Sequence, residues 1–97
     1  LDEIQAAILS IKIKYLTDWT EQRQMIAQWY NEALQEVGDL KLPTVAKGAT
    51  HVYHLYVIRT KHRDALQKHL KEHGVATLIH YPIPPHLQLA YSHLGYK

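Results

Sequence analysis

The chain contains no cysteine and no long hydrophobic run. Without cysteine it can form neither a disulfide framework nor a metal site with thiolate ligands, and nothing in it argues for secretion. No apolar stretch approaches the length of a membrane span, and the amino terminus lacks a basic leader followed by an apolar block. A cytoplasmic protein with no membrane partner is therefore expected.

A large excess of charge of one sign is also missing. Eleven Lys and Arg residues stand against nine Asp and Glu, which gives a net charge of +2 with both signs interspersed. A nucleic-acid-binding domain normally carries a basic patch or stripe, so no DNA or RNA partner is implied. A length of 97 residues suffices for one domain and no more, and residues 1–97 are predicted to form that single domain.

The first helix is predicted over residues 2–16 and is apolar on two sides. Its apolar residues form two rows at helical spacing. One row is Ile4, Ile8, Ile11 and Tyr15, and the other is Leu9, Ile13 and Leu16. Because such a helix needs cover on more than one side, part of its partner surface is expected to lie outside this chain. The alternative is a central helix wrapped by the chain's own elements.

A second helix is predicted from Asp18 to about Val37. Asp18 and Glu21 have the spacing of a capping box, and Gly38 is a natural end. Gln24 belongs to the polar residues that the helical spacing places on the solvent side.

The second half of the chain predicts two strands with a helix between them. The segment from His51 to Thr60 is rich in β-branched and aromatic residues on both faces, which is typical of a central, covered strand. A helix follows from about His62 to His73. Gly74 can then adopt the left-handed conformation while Val75 contacts Leu70, as in a Schellman cap, and Val75 opens a second buried strand. The element order indicates a small α+β unit with few strands.

Three prolines stiffen the chain after this second strand, within the sequence GVATLIHYPIPPHLQLAY at residues 74–91. Pro82 ends the strand because it has no backbone donor. Pro84 and Pro85 restrict φ, and Pro85 suits the first position of a helix that runs on to Tyr91.

The stiff loop presents His80, Tyr81 and His86, and these are candidate binding residues. Imidazole and phenol groups on a rigid loop at the end of a strand are a common setting for a ligand site. The alternative is structural: His80 bonds a backbone carbonyl and Tyr81 packs under the prolines.

No metal site and no catalytic residue is predicted, although the chain contains eight histidines. His51 and His54 point to opposite faces of a regular strand. His69 and His73 lie one helical turn apart, but the H-E-x-x-H carboxylate is missing, and a metal-binding domain would require further ligands. The sequence also contains no nucleophile motif and no glycine-rich phosphate loop.

Three segments are familiar in combination: LDEIQAAIL at residues 1–9, HVYHLYVIR at 51–59, and IHYPIPPHLQLAY with HLGY within 79–96. Together they resemble the DegT/DnrJ/StrS family of pyridoxal-phosphate-dependent sugar aminotransferases. The likeness covers nearly the whole chain and falls on the family's smaller carboxy-terminal domain. The resemblance implies an α+β domain with two long amino-terminal helices and a short, mainly antiparallel sheet covered by helices, as in a type I aminotransferase.

The resemblance also implies that the catalytic residues lie in a different domain of the protein. In the family, the large domain carries the cofactor lysine and the phosphate-binding residues, and none of these is matched here. The chain starts just after the position of the family's N-x-R element, and the closing helix and strand that follow LGY are missing. It is therefore expected to be an inactive carboxy-terminal fragment that binds no cofactor alone.

The function implied for the parent protein is amino-group transfer from an amino acid, usually glutamate, to a nucleotide-linked keto-sugar. Such homodimeric enzymes serve cell-surface polysaccharide or antibiotic sugar biosynthesis. His80 and Tyr81 match positions near the sugar in relatives, and His54 and His86 are further candidates. The loop sequence IHYPIPPHLQ resembles the group that acts at carbon three more than the group that acts at carbon four. The alternative function is a free-standing α+β binding or interaction module with no catalytic role.

Overall fold

A computed structural model describes residues 2–96 of the chain. The chain divides into two units, Leu1–Lys61 and His62–Lys97. The first unit contains helix α1 at Glu3–Lys12, a 3-10 turn at Ile13–Tyr15, and helix α2 at Leu16–Leu34. The second contains helix α3 at Arg63–Glu72 and two 3-10 segments at Pro85–Leu87 and Leu89–Leu94.

The two predicted amino-terminal helices are present, but no loop separates them. The 3-10 turn at Ile13–Tyr15 carries α1 directly into α2. Asp18 was predicted to cap the second helix, and this is wrong, because the helix begins at Leu16 and Asp18 already lies in its first turn. An acidic residue still suits that position, since the amino-terminal end of a helix carries partial positive charge.

Among the helices of residues 2–96, none combines the length and the hydrophobicity that a membrane span requires.

Helix α2 ends earlier than predicted. The chain leaves helical geometry at Gln35, which is extended with φ −60° and ψ 131°. Glu36 then takes a positive φ of 60°, two residues before Gly38. The turn therefore starts ahead of the glycine that was predicted to end the helix.

Very little of this chain is buried. Among residues 2–96 the only buried hydrophobic residue is Ala27 on α2, at 2% exposure. The two apolar rows lie on the first helical run, which is α1, the 3-10 turn and the start of α2. All their residues are exposed: Ile4, Ile8, Leu9, Ile11, Ile13, Tyr15 and Leu16.

The predicted sheet is absent from the part of the chain that the structure describes. The predicted α+β fold is therefore wrong for these residues: neither the strand from His51 to Thr60, nor the second from Val75, nor the short antiparallel sheet covered by helices is found. The backbone pairing found there is a single antiparallel bridge, in which Lys41 and Arg59 exchange hydrogen bonds of 2.8 and 3.0 Å.

Side chains of α2 take the place of a neighbouring strand beside the first of these segments. Gln24 Nε2 donates to the His51 carbonyl at 2.9 Å, and Arg23 Nε donates to the Val52 carbonyl at 3.1 Å. Tyr53 has a left-handed φ of 48°, and its N–H donates to His51 Nδ1 at 2.8 Å. A left-handed residue interrupts the pleat, so the β-prone composition does not produce a ladder.

The predicted helix cap at Gly74 is confirmed. Gly74 has φ 78°, its N–H donates to the Lys71 carbonyl at 3.1 Å, and the Val75 N–H donates to the Leu70 carbonyl at 2.8 Å. These two bonds define a Schellman motif. They commit the Val75 N–H to the end of α3, which is one reason why no strand opens at this residue.

The proline segment forms two short 3-10 helices in place of the single helix that was predicted to run to Tyr91. Pro85 is the first residue of the first one, as predicted, and Pro84 precedes it in an extended conformation. Gln88 is extended, with φ −68° and ψ 148°, and separates Pro85–Leu87 from Leu89–Leu94.

Candidate functional site

The proline segment surrounds an open hollow of about 450 Å³. Its walls are Tyr81, Pro82, Ile83, Pro85 and Gln88. The surface that these residues turn to the hollow is almost entirely apolar. A hollow with this lining suits the apolar face of a ligand.

His80 and Tyr81 lie beside each other, and Tyr81 lines this hollow. Their ring centroids are 5.5 Å apart in an edge-to-face arrangement, and the peptide bond between the two residues is cis. His80 is exposed, and Tyr81 is 76% exposed. Tyr81 is one of the residues that line the hollow, whereas His80 precedes it in the chain and is not among them. Imidazole and phenol can each donate or accept a hydrogen bond, so the pair is equipped to bind hydroxyl or phosphate oxygens.

The structure does not bring His86 into the lining of the hollow. The His86 ring instead lies edge-to-face with Tyr96, with 6.4 Å between the ring centroids. His86 is exposed and follows Pro85 in the short 3-10 helix.

His54 belongs to the first unit, where it is exposed on a segment that α2 holds in place. Two residues further on, Tyr56 donates its hydroxyl to Asn31 Oδ1 on α2 at 2.6 Å. The Tyr56 ring also lies 5.1 Å from Tyr30 and 6.1 Å from Tyr53 between centroids. Burial, followed by the neighbouring Tyr53 and Tyr30, raises the pKa of Tyr56 above its ordinary value.

Sequence reasoning missed the polar residues of α2 that hold this segment. Gln24 was predicted on the solvent side, whereas the structure makes it half-buried and bonds it to the His51 carbonyl. The signal that could have found the arrangement is the spacing of Gln24 and Asn31, which lie two helical turns apart on one face of α2. Side-chain amides on one face suggest a backbone partner as readily as they suggest solvent.

The described residues contain no group of three or more His, Cys, Asp or Glu side chains placed to hold a metal ion. The sequence does contain a second metal-binding pattern that a search for H-E-x-x-H does not find. His69, Glu72 and His73 spell H-x-x-E-H, the inverted order of the same motif.

Comparison with known proteins identifies the family. A family model described as the DegT/DnrJ/EryC1/StrS aminotransferase family matches residues 1–97. A dTDP-3-amino-3,6-dideoxy-alpha-D-galactopyranose transaminase from Aneurinibacillus thermoaerophilus is 53% identical, over 95% of this chain and 25% of the relative. A pleiotropic regulatory protein from Geobacillus stearothermophilus is 52% identical, over 100% of this chain and 27% of the relative.

The fold has a close counterpart among solved structures. The crystal structure of S. venezuelae DesV in complex with a ketimine intermediate superposes with a TM-score of 0.92 and 41% sequence identity. The match covers 96% of this chain and 25% of that chain. This chain thus spans about a quarter of the length of the curated relatives it matches. The resemblance noted in the sequence is confirmed, and the chain belongs to the DegT/DnrJ/EryC1/StrS aminotransferase family.

Proposed function

We propose that this chain is the carboxy-terminal part of a pyridoxal-phosphate-dependent aminotransferase that moves an amino group from glutamate to a nucleotide-linked keto-sugar. The observation that carries the proposal is the similarity to DesV, with a TM-score of 0.92 over 96% of the chain, because that structure contains a ketimine intermediate. The transaminase name of the Aneurinibacillus relative supports the same activity, and its 3-amino product favours carbon three as the position aminated.

Residues 2–96 do not fit the cofactor. Pyridoxal phosphate provides the electron sink of such reactions when it is bound, and it needs a lysine for its Schiff base. Every lysine in the described range is exposed. The hollow beside Tyr81 is lined by neither lysine nor carboxylate. In this proposal the cofactor is held by other residues of a longer protein, and no chemical step is assigned to this chain.

The role proposed for this chain is to form one wall of the sugar site. His80 and Tyr81 would hydrogen-bond a sugar hydroxyl or a phosphate oxygen, and the apolar lining of Pro82, Ile83 and Pro85 would face the hexose ring. His86 and His54 are proposed as further substrate contacts. We also propose that the longer protein is a cytoplasmic homodimer that serves polysaccharide or antibiotic sugar biosynthesis.

The competing proposal is a free-standing binding or interaction module. The two exposed apolar rows of the first helical run count against it, since soluble monomers rarely expose apolar patches of that extent. The same surface is expected in a domain that packs against further parts of its own protein.

The experiment uses the full-length protein that contains this sequence. The protein is loaded with pyridoxal phosphate, converted to its amino form with glutamate, and then given dTDP-linked 3-keto- and 4-keto-6-deoxyhexoses in separate reactions. Mass spectrometry should detect an amino-sugar nucleotide from the 3-keto substrate. Amination of the 4-keto substrate alone would overturn the carbon assignment, and amination of neither substrate, without glutamate turnover, would overturn the proposed function.

A further inference from the structure

The solvent side of α3 carries a pair of histidines that the proposed function does not use. His69 and His73 are one helical turn apart, their ring centroids lie 4.2 Å from each other, and the ring planes are tilted by 39°. Both residues are exposed. The neighbouring Lys68, Lys71 and Glu72 are exposed as well, so this face of the helix is hydrophilic, in contrast to the apolar rows of the first unit.

A hydrogen bond fixes the tautomer of one of the two rings. His73 Nδ1 lies 2.8 Å from the backbone carbonyl oxygen of His69. A carbonyl oxygen can only accept, so a neutral His73 ring that makes this bond has its proton on Nδ1 and keeps the lone pair of Nε2 for another partner. Histidines that bind metals are commonly oriented in this way, with the second ring nitrogen donating to a backbone carbonyl.

The carboxy-terminal end of α3 favours a cation, whereas the lysines beside the histidines oppose one. His69 and His73 lie at the carboxy-terminal end of α3, where the last carbonyls carry partial negative charge. The Schellman bonds at Gly74 hold this end of the helix in a defined geometry. Lys68 and Lys71 oppose a bound cation, but the Glu72 carboxylate lies between the histidines in sequence and 3.9 Å from Lys68 Nζ, where it offsets part of that charge.

We propose that His69 and His73 form a two-imidazole chelate for a divalent transition-metal ion. Imidazole pairs suit Cu²⁺, Ni²⁺ and Zn²⁺, and among these Cu²⁺ binds a given nitrogen site most tightly. Because residues 2–96 offer no group of three suitable side chains, water completes the coordination. The chelate requires neither the cofactor nor the sugar site, so it stands independently of the proposed aminotransferase activity.

The test is a titration of the full-length protein with CuCl₂, followed by calorimetry. His69→Gln, His73→Gln and the double variant are compared with the wild type, and His93→Gln is the matched control because His93 is exposed and lies outside α3. Each single variant should bind Cu²⁺ at least about tenfold more weakly. The double variant should lose less affinity than the sum of the two single losses, because removing either ligand already destroys the chelate.

Electron paramagnetic resonance separates loss of ligation from loss of helix structure. The Cu²⁺ spectrum of the wild type and of His93→Gln should show two coordinating imidazole nitrogens, and the single variants should lose this signature while their circular dichroism stays unchanged. Equal affinity in all proteins, or additive losses from the two single variants, would overturn the chelate. An unchanged count of coordinating nitrogens in His69→Gln would overturn it as well.

Discussion

At the scale of single residues, Tyr56 connects the segment at residues 51–60 to α2 through its hydrogen bond to Asn31. Its pKa is raised, first by burial and then by Tyr53 and Tyr30, so the folded state resists loss of the phenolic proton. The stabilisation from Tyr56 is therefore fully present below the unfolded-state pKa, near 10, and is lost as the pH rises through the higher folded-state value.

Tyr56→Phe removes both the hydrogen bond to Asn31 and the titrating group. In the full-length protein we expect a loss of about 0.5 to 1.5 kcal/mol in unfolding free energy at neutral pH, the usual worth of one hydrogen bond. Stability should then fall less steeply than in the wild type between neutral pH and about pH 10.5. Urea denaturation at the two pH values measures both effects.

Tyr91→Phe is the matched control, since Tyr91 is half-exposed and lies in the other unit. An alkaline decline of equal steepness in the wild type and both variants would show that Tyr56 does not contribute to it.

His80 and Tyr81 belong to the same scale, because each is predicted to supply one hydrogen bond to the sugar nucleotide. His80→Ala and Tyr81→Phe in the full-length enzyme should each lower kcat/KM for the keto-sugar about ten- to a hundredfold, which corresponds to about 1.5 to 3 kcal/mol. The half-reaction with glutamate should remain nearly intact. Stopped-flow measurement of the two half-reactions separates these effects.

His93→Ala serves as the control for this pair, since His93 is an exposed histidine in the second 3-10 segment, more than ten residues from Tyr81. The two residues are structural if their variants impair both half-reactions equally and also lower the thermal unfolding midpoint.

At the scale of elements, the sequence predicted the structures that depend on residues adjacent in the chain. It did not predict those that depend on residues far apart in the chain. Helix α3 and its cap at Gly74 were predictable because helical spacing and a left-handed glycine are local signals. The strand predicted at residues 51–60 is absent, because a strand exists only when another strand pairs with it, and the sequence of one segment does not show whether a partner is present. In this structure Gln24 and Arg23 bind its carbonyls instead, and no residue within the segment signals their approach.

The candidate site followed the same division. The prolines and their neighbours His80 and Tyr81 could be selected from the sequence because proline stiffness is local. The hollow could not be foreseen, since Gln88 belongs to its lining and the extended conformation of Gln88 between two 3-10 segments has no local signal in the sequence.

The cap of α3 gives a prediction at this scale. Gly74 has φ 78°, a conformation that costs a residue with a Cβ atom roughly 1 to 2 kcal/mol. Nothing lies within 4 Å of a Cβ atom placed at Gly74, so the cost of Gly74→Ala is conformational. We expect this loss of unfolding free energy in urea denaturation, and a smaller one for Gly74→Asn, because asparagine tolerates the left-handed region. If the two substitutions cost the same, the left-handed conformation is not what the glycine provides.

At the scale of the whole molecule, exposed apolar surface dominates the behaviour expected of the 97-residue chain alone. Apolar burial is the main driving force for folding, and Ala27 is the one buried hydrophobic residue in the described range. The chain alone should therefore self-associate or be marginally stable, and should bind a hydrophobic dye.

Ile8→Glu tests this expectation by placing a charge within an apolar row of α1. Sedimentation velocity should show less association than in the parent chain. Ser10→Glu adds the same charge to α1 outside both rows and should leave association unchanged. A monomeric parent chain that also fails to bind the dye would contradict the expectation.

The hydrogen bonds from α2 to residues 51 and 52 also affect hydrogen–deuterium exchange. They end on carbonyl oxygens, so they do not occupy the amide hydrogens of His51 and Val52. Amides that do donate, those of Tyr53 and Arg59, should exchange more slowly because local opening must break their bonds first. Protection is therefore expected at separate positions along this segment and not at every second residue, so its exchange kinetics should resemble those of an anchored loop.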